Sequence, residues 1–94
     1  MDDAVSKAKR HMGRVAALGC IACRMMGYGE SVAAVHHIRE GRIARNDFLT
    51  IPLCPELHTG THQSVHMRKR QLMDALGIGS EFEMLAKTLE ELEA

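Results

Sequence analysis

Ninety-four residues with 46% apolar content but only one Tyr and two Phe allow a single small domain with a thin aliphatic core, and exclude a second core. No run of about 18 apolar residues is present, so no membrane span is expected. "MDDAVSKAKRH" lacks the apolar stretch of a secretory leader. Twelve Lys/Arg balance twelve Asp/Glu, yet residues 1–73 carry a net +5 and residues 74–94 a net −5, a distribution shared by nucleic-acid binders and by chains with one solvated acidic helix.

In chain order, Val5, Ala8, Met12, Val15 and Leu18 recur at helical spacing, which predicts a helix over 3–18 stopped by Gly19. His11 falls on it as a surface residue. "GCIACRMMGYGE" reads as turn-rich. Val32–Ile38 reads as a short, largely buried strand, "REGRIARND" as a polar loop, and "FLTIPL" as a second strand that Pro52 confines to an edge. From Pro55, a favourable helix opener, a helix is expected through "CPELHTGTHQSVHMRKRQLMDAL", with Gly60 its weak point. "GIGS" breaks the chain. Ser80 and Glu83 then match a capping box, and Phe82, Leu85, Leu89 and Leu92 are expected to line the inner face of a last helix, or a dimer seam.

Eight side chains form a set of soft and borderline ligands: Cys20, Cys23, His36, His37, Cys54, His58, His62 and His66. Three cysteines cannot all pair with one another, so a reducing compartment and metal ligation are expected. A domain this small also commonly needs a metal or an oligomeric contact as a staple. Cys20-x-x-Cys23 alone also serves redox chemistry, but with Cys54 at a helix mouth a structural Zn²⁺ held by three cysteines and one histidine is the expectation. His58, His62 and His66 recur every four residues, which on a continuous helix stacks them on one face able to hold a divalent ion. Seven ligands would fill a four-ligand structural site and a three-ligand open site, and one histidine remains. Because neighbouring residues of a strand point to opposite faces, a metal-bound His36 leaves His37 unligated, and a neutral imidazole beside a metal accepts a proton from water near pH 7.

The segments "VAALGCIACRMMGYG", "VHHIREG", "IPLCPELHTGTHQSVH" and "ALGIGSEFEMLAKTLEEL" resemble the phage-type recombination-enhancement, RecA-dependent nucleases, and the wider HNH (ββα-metal, His-Me finger) endonucleases. The resemblance implies an α+β, zinc-stapled single domain over 1–94: an N-terminal helix in 1–19, a metal-binding ββα core in 20–66 and C-terminal helices in 67–94. It implies cleavage of DNA phosphodiester bonds with one catalytic divalent ion (Mg²⁺ or Mn²⁺, with Zn²⁺ also compatible), His36 as a ligand, His37 as general base and Asn46, in "RND", as the middle position of the pattern; Asn46 or its neighbour Asp47 would orient His37 or brace the loop. Relatives read Cys-x-x-His-His where this chain has Leu57 before His58, so the fourth zinc ligand must come from elsewhere or be absent. Either His58 completes the zinc and His62 and His66 serve the ion, or His58 with one of them serves the ion and the structural site borrows the other.

Arg39, Arg42, Arg45, Arg68, Lys69 and Arg70 flank this region and would neutralise backbone phosphates without reading sequence; no aromatic platform for bases is expected. The resemblance further implies DNA and a RecA filament as partners, a monomer or homodimer, and the cytoplasm of a bacterial host, with a phage or host gene as the source. The rival readings are a non-catalytic zinc module that binds DNA or protein, and an adaptor built on the last helix.

Overall fold

The computed structural model describes the backbone of residues 3–94 and side chains from residue 4. Met1 and Asp2, the start of the expected 1–19 segment, lie outside the described residues. Helix α1, Asp3–Ala17, ends close to the expected point. Gly19 follows with φ of 80°, and a Cβ there would sit 2.9 Å from the Ser31 carbonyl oxygen. The bare glycine lets that carbonyl accept the Cys20 N–H at 3.0 Å, which pins the first cysteine against residue 31.

The Cys20–Cys23 segment is not a loop but a short helix, α2, Ile21–Met25. Cys20 is its N-cap, with Sγ accepting the Cys23 N–H at 3.3 Å, and Ile21 and Ala22 are fully buried. A cap and two buried apolar side chains hold a helical turn between the glycines, Gly19 and Gly27, that made the stretch look turn-rich. A helix thus opens on the Cys-x-x-Cys pair, as redox motifs have it, but a third thiol, that of Cys54, lies 3.9 Å from the Cys23 sulfur.

Strands β1, Ala34–His37, and β2, Thr50–Leu53, form an antiparallel two-stranded sheet with His36 opposite Ile51 and His37 opposite Thr50. Both are shorter than expected; β1 begins only at Ala34, Val32 being 86% exposed. Every residue of β2 is buried, and Pro52 is tolerated because a two-stranded sheet has only edges. Ile21, Ile51, Leu53, Leu72 and Met84 make the centre of the core.

The expected helix from Pro55 to Leu76 is broken into α3, Pro55–Thr59, and α4, Lys69–Leu76. Gly60 ends α3, and the chain doubles back: Val65 N–H donates to the Leu57 carbonyl at 2.8 Å and His66 N–H to that of His58 at 3.2 Å. Of the two large apolar side chains in residues 60–68, Val65 is buried and Met67 exposed, so burying Leu57 and Val65 together outweighs helix continuity.

Helix α5, Glu81–Glu93, is capped by Ser80, whose Oγ accepts the Phe82 N–H at 3.2 Å, while the Glu83 carboxylate accepts the Gly79 N–H at 2.8 Å. Its inner face is Glu81, Met84, Leu85 and Thr88, whereas Phe82 and Leu89, expected inside, are 40% and 42% exposed. The helix is rotated so that Glu81 points inward, for a reason given below. Arg24 pairs with Glu91 at 2.7 Å, and Arg14 donates to the Leu92 carbonyl, fastening α5 to α2 and α1. His11 is half-buried, its ring centroid 5.3 Å from that of Phe48, rather than a free surface residue.

Candidate metal centre

Cys20 and Cys23 come from the opening of α2, and Cys54 is the N-cap of α3. The three sulfurs lie within 4.8 Å of one another, with Cys23 and Cys54 at 3.9 Å. A tetrahedral ion with metal–sulfur bonds near 2.3 Å requires neighbouring sulfurs about 3.8 Å apart, so the trio fits a zinc-sized cation. Ser31 Oγ donates to Cys23 Sγ at 3.6 Å. In the protein alone burial pushes the Cys20 thiol up to about 12, so a cation here must displace protons as it binds.

His36 (from β1), His58 (from α3) and His66 (from the returning turn) form a second group whose ligand nitrogens also lie within 4.8 Å of one another. His58 Nε2 and His66 Nε2 are 3.2 Å apart. Bonds near 2.1 Å require a ligand–ligand separation of about 3.0 Å for octahedral and about 3.4 Å for tetrahedral geometry, so the observed distance suits a small divalent ion. Burial, then the charge on His36 and His66, lowers the His58 pKa; burial, then His36 and Arg39, lowers that of His66, against the opposing pull of Glu81. Both rings are thereby kept neutral, the form that ligates.

This grouping differs from the helical stack expected of His58, His62 and His66. With the helix broken at Gly60, the turn brings residue 66 back to residue 58 and leaves His62 exposed. Among the described residues His62 joins neither group, and the three sulfurs have no histidine with them. The arrangement in which His58 completes the sulfur site is therefore not the one observed.

His37 takes the opposite side of β1. Its Nε2 lies 2.8 Å from Asp47 Oδ1, and it lines an open recess of about 540 Å³ with Ile38, Arg39, Gly41, Ile43 and Arg45. Asn46, expected at the catalytic middle position, instead accepts the Phe48 N–H at 2.8 Å and braces the turn; the residue that reaches His37 is Asp47. Arg42, Arg68 and Arg70 are exposed. Lys69, expected to meet phosphate, is tied to Glu40 and Glu81 at 2.9 and 2.8 Å. Phe48, half exposed next to Asp47, packs its ring against His11.

Glu81 was not singled out by the sequence, where it reads as one more first-turn acid beside Glu83. Only 1% exposed, its Oε1 lies 2.8 Å from His36 Nε2 and accepts the Arg39 N–H at 2.9 Å, while Oε2 meets Lys69 Nζ at 2.8 Å. Burial alone would raise its carboxyl, but hydrogen bonds from His36, Lys69 and the Arg39 N–H hold it below the ordinary carboxylate value. For Lys69, burial opposes the charge, and its two carboxylate partners outweigh that and raise its pKa.

The fold and these side chains define a class: a small α+β protein with two groups able to hold metal ions beside a basic recess. The chain belongs to the recombination enhancement, RecA-dependent nuclease family, whose model matches residues 4–93. That description makes it a nuclease, an enzyme acting on DNA in recombination. No curated protein and no solved structure matches it.

Proposed function

We propose that this chain is a divalent-metal-dependent DNA endonuclease of the HNH (ββα-metal) type. The observation that carries the reading is the division of labour at the end of β1: His36 joins two other imidazoles, while His37, facing the other way, is held by a carboxylate in an arginine-lined recess. The antiparallel strand pair followed by the ligand-bearing α3 supports the same reading.

His36, His58 and His66 would hold the catalytic ion, Mg²⁺ or Mn²⁺ in cells, with Zn²⁺ compatible with an all-imidazole set. When bound, that ion supplies charge stabilisation to the phosphate and its leaving oxygen. Asp47, as an ionised acceptor, takes the Nε2–H of His37 and leaves Nδ1 with the lone pair that receives a proton from the attacking water. Arg39 and Arg45 in the recess, with the exposed Arg42, Arg68 and Arg70, neutralise backbone phosphates without reading bases. Cys20, Cys23 and Cys54 would hold a structural Zn²⁺, which would fix α2 against α3. A RecA filament is the proposed partner on DNA. A non-catalytic zinc module would account for the thiols but gives the His37–Asp47 pair nothing to do.

The test is His37→Ala in a plasmid-nicking assay with Mg²⁺ or Mn²⁺. Loss of a general base is expected to slow cleavage by roughly 10²–10⁴-fold, with metal content and melting temperature unchanged. Undiminished nicking by that variant refutes the role of His37, and no cleavage by the unaltered chain either with or without a RecA filament on the DNA refutes the nuclease reading.

A further inference from the structure

We propose that Glu81 is a positioning residue for the histidine centre: it takes the Nε2–H of His36 and so leaves Nδ1 as the only nitrogen of that ring free to bind a cation. The inference rests on the reading of His36, His58 and His66 as the holders of the divalent ion.

Carboxylates are seldom this deeply buried without partners, and the partners of Glu81 are all donors. The Arg39 N–H and the Lys69 ammonium cannot accept a hydrogen bond, which keeps the carboxylate ionised and acceptor-only. At 2.8 Å the remaining contact, His36 Nε2, must therefore carry the proton. The carboxylate is itself braced. Lys69 bridges Glu81 to Glu40, Glu40 Oε2 accepts the Glu81 N–H at 2.6 Å, and Lys69 donates to the Arg39 carbonyl at 2.8 Å. These bonds lock the first residue of α5 to the segment just after β1, 42 residues earlier in the chain for the Arg39 contact. They also account for the rotation of α5 that leaves Phe82 and Leu89 outside. A carboxylate on the far nitrogen of a ligating imidazole fixes ring orientation and tautomer and makes the ring a stronger donor to a metal. The C-terminal helix, which contributes no ligand to either group among the described residues, thus acts on the centre through one side chain.

Two measurements on the full chain decide it. Long-range ¹H–¹⁵N correlation spectra of the unaltered, ¹⁵N-labelled protein without added Mn²⁺ should show His36 as the Nε2–H tautomer; the Nδ1–H tautomer overturns the proposal, and this readout does not depend on any variant folding. Calorimetric titration with Mn²⁺ should show Glu81→Gln binding roughly 10–100-fold more weakly than the unaltered chain, at a retained helical circular dichroism signal. Equal affinity in the folded variant, or no Mn²⁺ binding by the unaltered chain, overturns it. The nuclease reading fails by a different result: a chain that binds Mn²⁺ with these properties yet leaves plasmid DNA intact even with a RecA filament present.

Discussion

Replacing Gly60 by alanine sets two physical effects against each other. Gly60 has φ of −65° and ψ of 172°, a conformation alanine adopts freely, so an argument from backbone freedom alone predicts that Gly60→Ala stabilises the fold by about 0.4–1 kcal/mol through the unfolded chain. The structure predicts the opposite sign. A Cβ at residue 60 would fall on the main-chain oxygen of Glu56 and on its carboxyl group. The carboxyl can swing away, but the oxygen belongs to α3 and accepts the Gly60 N–H at 3.0 Å, so the end of the helix must move. Forcing a methyl into such a place costs about 1–3 kcal/mol, which exceeds the gain. The net loss, centred on about 1.3 kcal/mol, corresponds in a domain of this size to a fall in Tm of roughly 5–10 °C. The displaced segment carries the turn that returns His66 to His58, so Mn²⁺ affinity should fall with it. Thermal melting by circular dichroism and a calorimetric Mn²⁺ titration read the two effects. A melting temperature at or above that of the unaltered protein, with Mn²⁺ affinity retained, would refute the steric argument.

Three further outcomes follow from the same geometry. Cys54→Ser removes one of three sulfurs, and elemental analysis should find one zinc fewer per chain, together with a lower Tm. The lowered pKa values of His58, from burial and then the charges on His36 and His66, and of His66, from burial and then His36 and Arg39, make the unfolded chain take up protons first as pH falls through 6.5. The stability these rings contribute is thus present above pH 6.5 and lost below it, and melting of the metal-free protein from pH 7.5 to 5 should show Tm declining in that window; a flat profile would contradict it. Asp47→Asn keeps the shape beside His37 but removes the charge that selects its tautomer, so steady-state nicking should show a lower kcat at similar DNA affinity, while Asn46→Ala should affect the turn more than the rate.

Much of the candidate site is legible in the sequence. The strand ending in His36 and His37, the Cys-x-x-Cys pair, Cys54 before a proline-opened helix and the capping serine at position 80 are local patterns, set by strand alternation, turn chemistry and backbone capping that reach only a few residues. The expected stack of His58, His62 and His66 failed because a spacing of four has meaning only on an unbroken helix, and burial of Leu57 against Val65 was worth more than continuity. Asn46 and Asp47 are both turn-forming residues in sequence; only the path of the loop chose the one that meets His37. Glu81 lay beyond any local pattern, because a carboxylate in the first turn of an acidic helix looks the same whether it faces water or a histidine 45 positions earlier.

What the chain fixed by itself is the inventory: which residues can ligate, donate or take a proton, and which short elements carry them. Which of them meet was decided by tertiary packing, since two strands, a broken helix and the rotation of α5 had to be settled together to satisfy one core. Ligand sets and buried ion pairs join residues distant in sequence, and their energies exist only once that shared interior has excluded water.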